Sequence, residues 1–142
     1  TRRSSDLLRA RRLSIAIFTA GAGFKYSHDG AGQLLNTNAD TIAQSVATAL
    51  AGEYAVSLLY CFEKAGVLLD AEDDSTVIAS INPEYYQKLK AKQLIFAGMI
   101  PKLDNAFAAL NNGVNKVIIG KAESIQELVV GKAGTTIQMN TN

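Results

Sequence analysis

From Phe24 onward, short apolar runs alternate with stretches whose apolar residues recur at helical spacing, and this alternation constrains the fold more than any other feature of the chain. Leu34-Leu35 leads into Asn36-Thr37-Asn38-Ala39-Asp40, after which Ile42, Ala43, Val46, Ala47 and Leu50 mark one helix face. Asn38 is placed to cap that helix, with Asp40 in its first turn where a carboxylate complements the dipole. Tyr54 to Cys61 reads as a buried strand, apolar on both faces as parallel strands are. Val67-Leu68-Leu69 and Thr76-Val77-Ile78 flank an acidic turn, the pattern of a small hairpin. Asn82-Pro83-Glu84 opens a helix through about Gln93, on which Lys88, Lys90 and Lys92 form a wet face near the end. A further helix begins around Pro101, with Leu103, Phe107, Leu110 and Val114 on one stripe and Gly113 as its stop. Lys116 to Gly120 is a strand, Ser124 to Glu127 has the spacing of a capping box opening a helix to Val130, and Gly134 to Ile137 closes as a strand. Such alternation predicts an α/β fold, a three-layer αβα sandwich with a mainly parallel sheet.

Composition sets the class of partner. At 142 residues and 48% hydrophobic the chain suffices for one compact domain. A net charge of +1, no Trp and no basic stripe interleaved with aromatics argue against nucleic acid. No apolar stretch reaches the ~18 residues of a membrane span. Cys61, the single cysteine, excludes an internal disulfide and is expected to be a buried structural thiol in a reducing, cytoplasmic setting. The arginines, Arg2, Arg3, Arg9, Arg11 and Arg12, all fall before Leu13, so residues 1–25 read as an atypical leading segment and 26–142 as the domain.

Two apparent sites dissolve on inspection. His28, between Ser27 and Asp29, belongs to the turn chemistry of Tyr26 to Gly32, because a catalytic triad converges from separate parts of a fold. Glu72, Asp73 and Asp74 are consecutive, whereas calcium loops space their ligands alternately, so no metal site is expected there. Gly98-Met99-Ile100-Pro101-Lys102 is different. Glycine admits close approach of a ligand to the backbone, Pro101 suits a first helical position, and the first-turn N–H groups add to the charge of Lys102. Taken alone this stretch reads as ordinary helix punctuation with a solvated lysine more readily than as a phosphate-docking helix start. Asn36, Asn38 and Asp40 form a polar cluster denser than capping requires, at a strand's carboxyl end where open α/β sheets bind ligands.

Together, Asn36-Thr37-Asn38-Ala39-Asp40, Gly98-Met99-Ile100-Pro101-Lys102 and the tail Gly134-Thr135-Thr136-Ile137 resemble, in order and spacing, the carboxyl-terminal half of the N-acetylglutamate kinases in the amino acid kinase family. The resemblance runs from about Tyr26 to Ile137. It implies ATP-dependent phosphorylation of the side-chain carboxylate of an N-acylglutamate in arginine biosynthesis, with Mg²⁺ entering on the ATP. Lys102 matches the lysine that stabilises charge on the transferring phosphoryl group, Asp40 the aspartate that orients the catalytic lysines, and Asn36 an asparagine that binds the amino-acid substrate. The segments Phe62 to Gly66 and Leu94 to Met99 match nucleotide-binding loops, which nominates Phe62, Glu63, Gly66, Leu94, Ile95, Phe96, Gly98 and Met99.

The sequence departs from that pattern in two ways. No counterpart appears here of the family's first catalytic lysine, glycine-rich phosphate loop or substrate-gripping arginine, and Gly21-Ala22-Gly23 is too sparse to replace the loop. Phe62-Glu63 stands where Ser/Thr-Asp is usual, and Ala97 where Asp is frequent. The expectation is therefore a kinase represented by its nucleotide-binding half, binding ATP and an N-acylglutamate, with a homo-oligomer compatible and the acyl group unspecified. The alternative is a non-catalytic ATP-binding or assembly fragment of the same fold.

Overall fold

The computed structural model describes residues 24–27 and 34–140. Strands β1 (Phe24–Ser27) and β2 (Leu34–Thr37) pair antiparallel, Phe24 opposite Thr37 and Ser27 opposite Leu34, as a hairpin requires. Tyr26 and Ser27 of the expected turn belong to β1, His28 and residues 29–32 lie outside the described residues, and the 25/26 boundary falls inside β1.

Helix α1 (Ala39–Ala51) then returns the chain to β3 (Ser57–Phe62). After β4 (Ser80–Ile81) come α2 (Pro83–Ala91), α3 (Ile100–Asn111), β5 (Lys116–Lys121), α4 (Ile125–Val129) and β6 (Thr135–Ile137). The main sheet has the order β3-β5-β6-β4. β3 with β5 and β4 with β6 are parallel, and β5 with β6 is antiparallel. The sheet is thus mostly parallel, as the alternation of elements predicts.

Residue alternation along β5 sorts the layers. Val117 and Ile119 join Ile137 in a core that also holds Ala47 of α1, Tyr86 and Leu89 of α2, and Leu103, Ala106, Ala109 and Leu110 of α3. Gly120 points the other way and lets Leu128 of α4 lie against the strand. Helices therefore cover both faces. The predicted α3 stripe is present, and the two alanines let α3 approach the sheet closely. Gly113, at φ +97°, ends the helix as expected.

Four local expectations are corrected. β3 starts at Ser57 rather than Tyr54 and is an end strand of the sheet among the described residues; of its side chains only Tyr60 is buried, and Cys61 is exposed. Hydrophobicity marks a strand but not its place in the sheet. The acidic turn closes a single bridge, Leu68 to Val77, because Asp70 and Asp73 accept bonds from the N–H groups of Glu72 (3.0 Å) and Ser75 (2.8 Å), curling the chain into a 3₁₀ turn. α2 stops two residues early, at Ala91, as Gln93 turns left-handed at φ 53°. The capping box does not form: Ser124 closes a 3₁₀ turn, Ala122–Ser124, and makes no side-chain cap. No helix among the described residues is long and apolar enough to cross a membrane.

Glycines after α4 separate conformational from steric demand. Gly134 has φ +77°, and a Cβ there would sit 2.6 Å from the Ile119 carbonyl oxygen; Gly131 has φ +74° with no neighbour within 4 Å. Gly134→Ala should therefore lose roughly 2–4 kcal/mol and Gly131→Ala only about 1 kcal/mol. Urea denaturation of the two variants checks this, and equal losses would show that the contact with β5 is unimportant.

Candidate functional site

The connections within the fold decide where polar groups can meet. α1 leads directly into β3 and α3 directly into β5, so each helix runs back along the sheet and starts at the carboxyl edge of the parallel β3/β5 pair. Asp40 is in the first turn of α1 and Lys102 in the first turn of α3. The two side chains meet there: Lys102 Nζ donates to Asp40 Oδ2 at 2.6 Å. Their side chains are 25% and 17% exposed, placing the pair between a solvated surface bridge and a buried one.

Each partner is held from beneath. Asn38 accepts a hydrogen bond from the backbone N–H of Asp40 at 2.8 Å, the expected cap. Tyr60, buried in β3, donates its hydroxyl to the Asp40 carbonyl at 3.0 Å. Burial first, and the Asp40 charge second, raise the Tyr60 phenol above its ordinary pKa. Across the site, Tyr86 of α2 donates to Asp104 Oδ1 at 2.7 Å and contacts the Ile100 carbonyl at 3.3 Å, both in the first turns of α3. Its ring stacks on Phe107 at 5.2 Å between centroids, and Lys90 Nζ lies 5.0 Å above it. Burial and the Asp104 hydrogen bond raise this phenol as well.

The start of α3 differs from those of its neighbours. α1 and α2 have asparagine caps, Asn38 and Asn82, whereas α3 has none: Met99 makes no side-chain cap. A short 3₁₀ turn, Ala97–Met99, delivers the chain to Ile100, and Gly98 is exposed on it. The 3₁₀ turn already takes up the Met99 and Ile100 N–H groups, which bond the Phe96 and Ala97 carbonyls, and Pro101 has none, so the Lys102 ammonium is what this helix start offers an anion.

The nominated residues divide clearly. Lys102 and Asp40 are brought together, and Asn36 stands in β2 opposite Lys25, two residues before the Asn38 cap. Phe62 pairs with Lys121 at the carboxyl edge, with Glu63 exposed just beyond it. Gly66 is buried, and a Cβ on it would lie 2.7 Å from Thr135 Oγ1, so packing against β6 already accounts for the glycine. Ile95 and Met99 direct their side chains into the core, leaving their backbone for any ligand, while Leu94 and Phe96 are exposed beside Gly98. Lys121 and Asp74 pair at 2.8 Å on the same edge, a contact that no sequence motif announces. The Lys121 hydrogen bond holds the Asp74 carboxyl below its usual range. Among the described residues no group of three or more His, Cys, Asp or Glu side chains is gathered to hold a metal.

An α/β sheet with a lysine and an aspartate joined across two helix starts at its carboxyl edge fits a phosphate-handling fold, and the profile of the amino acid kinase family matches residues 4–121. The chain belongs to that family. Among its relatives, the acetylglutamate kinase of Cytophaga hutchinsonii is 57% identical over 103 residues, covering 72% of this chain and 39% of the relative. The acetylglutamate kinase of Phocaeicola vulgatus is 52% identical, covering 71% and 39%. The chain thus spans about two-fifths of the curated relatives it matches. Among solved structures, smu.665 from Streptococcus mutans superposes with a TM-score of 0.59 at 33% identity, over 77% of this chain and 38% of that one. N-acetylglutamate synthase from Neisseria gonorrhoeae, complexed with coenzyme A and L-arginine, gives 0.63 at 25% identity, over 78% and 25%.

The half-buried pair should show coupling in a double-mutant cycle. Lys102→Met and Asp40→Asn, read by urea denaturation, should give an interaction energy of roughly 1–2 kcal/mol; additive losses would show that the two charges do not depend on each other. The raised phenols also carry a pH sign. A group that stays protonated longer in the folded state stabilises fully below its unfolded pKa, ~10 for tyrosine, and loses that contribution as pH rises further. Tyr60→Phe should therefore lose less stability than the parent between about pH 9 and 11, as measured by thermal unfolding across that range.

Proposed function

We propose that this chain is the nucleotide-binding half of an enzyme that moves the γ-phosphoryl group of ATP to the side-chain carboxylate of an N-acyl-L-glutamate, an acetylglutamate kinase reaction in cytoplasmic arginine biosynthesis. In that reaction a carboxylate oxygen bonds to the γ-phosphorus while the bond to the β–γ bridging oxygen breaks, giving an acyl phosphate and ADP. Little covalent help is needed from protein; positioning and compensation of the spread negative charge do most.

The observation that carries this reading is the Lys102–Asp40 pair at the converging helix starts. Lys102 stabilises the charge on the transferring group, and Asp40 orients the lysine toward it. Exposed Gly98 lets phosphate oxygens approach the backbone just before α3, beside Lys102. Asn36 holds the amino-acid substrate, and the Phe62 to Gly66 and Leu94 to Met99 segments border the nucleotide. Mg²⁺ arrives with ATP and neutralises phosphate charge, held largely by phosphate oxygens and water.

A second reading, a non-catalytic ATP-binding or assembly fragment of the same fold, is favoured by Phe62-Glu63 and Ala97, which stand where the resemblance leads one to expect Ser/Thr-Asp and Asp. Two measurements separate them. Titration calorimetry with MgATP should show binding that weakens about tenfold or more in Lys102→Ala, the scale of a charge-assisted contact. No detectable binding by the parent chain would overturn both ATP-binding readings and leave the assembly fragment. Residues 1–142 alone should phosphorylate little or no acylglutamate; turnover at the rate of a whole enzyme would overturn the assignment of this chain to half a site.

A further inference from the structure

The two helices that bring Asp40 and Lys102 together share a further feature. Each has a backbone carbonyl of its first turn bonded by a tyrosine hydroxyl from a different element. Tyr60 of β3 donates to the Asp40 carbonyl at 3.0 Å, and Tyr86 of α2 shares its one proton between Asp104 Oδ1 at 2.7 Å and, more weakly, the Ile100 carbonyl at 3.3 Å. Both tyrosines are almost fully buried, 5% and 3% exposed, which fixes their rings, while their hydrogen bonds are part-buried and Asp104 faces solvent.

A carbonyl inside a helix already accepts the bond of its own ladder, so the phenol is not required for helix formation. What it adds is a fixed distance between the helix start and a neighbouring element. Tyr60 ties Asp40 to the strand whose carboxyl end carries Phe62 and Glu63. Tyr86 ties the turn bearing Lys102 to α2, and its stacking on Phe107 resists rotation of α3 about its axis. A lysine is long and has many rotamers, so its ammonium stays at one point only when both its own helix and its partner carboxylate are immobile.

We propose that Tyr60 and Tyr86 are positioning residues, which set the Lys102–Asp40 pair by bonding the first-turn backbone of the two helices that carry it. The proposal rests on the phosphate-facing role given to Lys102 above, but its test reads the lysine directly, without nucleotide. The Lys102 ammonium, identified by its loss in Lys102→Arg, is followed by ¹H–¹⁵N NMR in the full chain at low temperature and mildly acidic pH. Tyr60→Phe and Tyr86→Phe remove one oxygen each and keep the rings. Each should speed ammonium proton exchange about three- to tenfold, the range a single neutral hydrogen bond supports. Asp40→Asn should abolish protection altogether.

A residue that only adds stability would lower Tm and leave the ammonium exchange rate unchanged, and that result in either variant removes that tyrosine from the role. If a variant does not fold, the unaltered chain decides: a slowly exchanging hydroxyl proton, close to the first turn of α1 for Tyr60 and of α3 for Tyr86, is required, and its absence overturns the proposal. MgATP titration of the same samples keeps the two ideas apart. Faster exchange in the variants with no ATP binding by the parent chain supports positioning and overturns the nucleotide reading. ATP binding with unchanged exchange does the reverse.

Discussion

The contact between Asp40 and Lys102 spans 62 residues of sequence and sets the requirements for the surrounding fold. Neither residue can reach the other unless both helices begin at one edge of the sheet. That in turn requires each helix to run against the strand that follows it, and β3 and β5 to be parallel neighbours. The short connections from α1 to β3 and from α3 to β5 leave no other direction. The hydrophobic core then holds the arrangement: Leu103, the residue after Lys102, is fully buried, so the helix face that anchors α3 also fixes where the lysine leaves it. Packing and chemistry are adjacent on one turn of helix, about 100° apart around its axis.

Much of this was legible in the residues because it follows from local rules. Asn38 and Asn82 cap as their type and position predict, Gly113 ends α3, and Leu103, Leu110 and Val114 of its stripe are buried with Phe107 packed partly buried against them. The two polar clusters that meet at the site were both visible as clusters. What local rules do not contain is partner choice. Nothing in Tyr54 to Cys61 says that its strand ends the sheet, and an apolar run looks the same at an edge as in the middle; hence the exposed thiol of Cys61. Ser124 and Glu127 have capping-box spacing, but the 3₁₀ turn before them changes the backbone angles the motif needs. Tyr60 stands in the run as one apolar residue among several, although a phenol buried there must find a partner for its hydroxyl, which is the clue the sequence offers. Lys121 with Asp74 gave none, since 47 residues separate them and each is an ordinary surface type.

The same division applies to the nominated nucleotide residues. Where the nomination rests on backbone, as at Gly98, exposure on the turn before α3 is compatible with it. Where it names a side chain such as Ile95 or Met99, the fold has already committed that side chain to the core. Gly66 shows how one residue type can satisfy two demands, because the close approach of Thr135 would require a glycine there whether or not a ligand ever came near. Family membership and site geometry are therefore separate findings, the first resting on the whole matched segment and the second on the contact between Lys102 and Asp40.

The placement of β6 has a consequence for how the chain is made. It is the last strand in sequence among the described elements, yet it lies between β5 and β4, pairing with both. While the ribosome is still producing residues before Thr135, β4 has no partner in the sheet and Val67 lacks the Thr135 hydroxyl that accepts its backbone N–H at 2.8 Å. The β3/β5 pair and the helices that carry Asp40 and Lys102 can assemble first, whereas the far side of the sheet must wait for synthesis to pass Ile137. Birth order thus divides the domain into an early half that contains the charged pair and a late half locked by a short final strand.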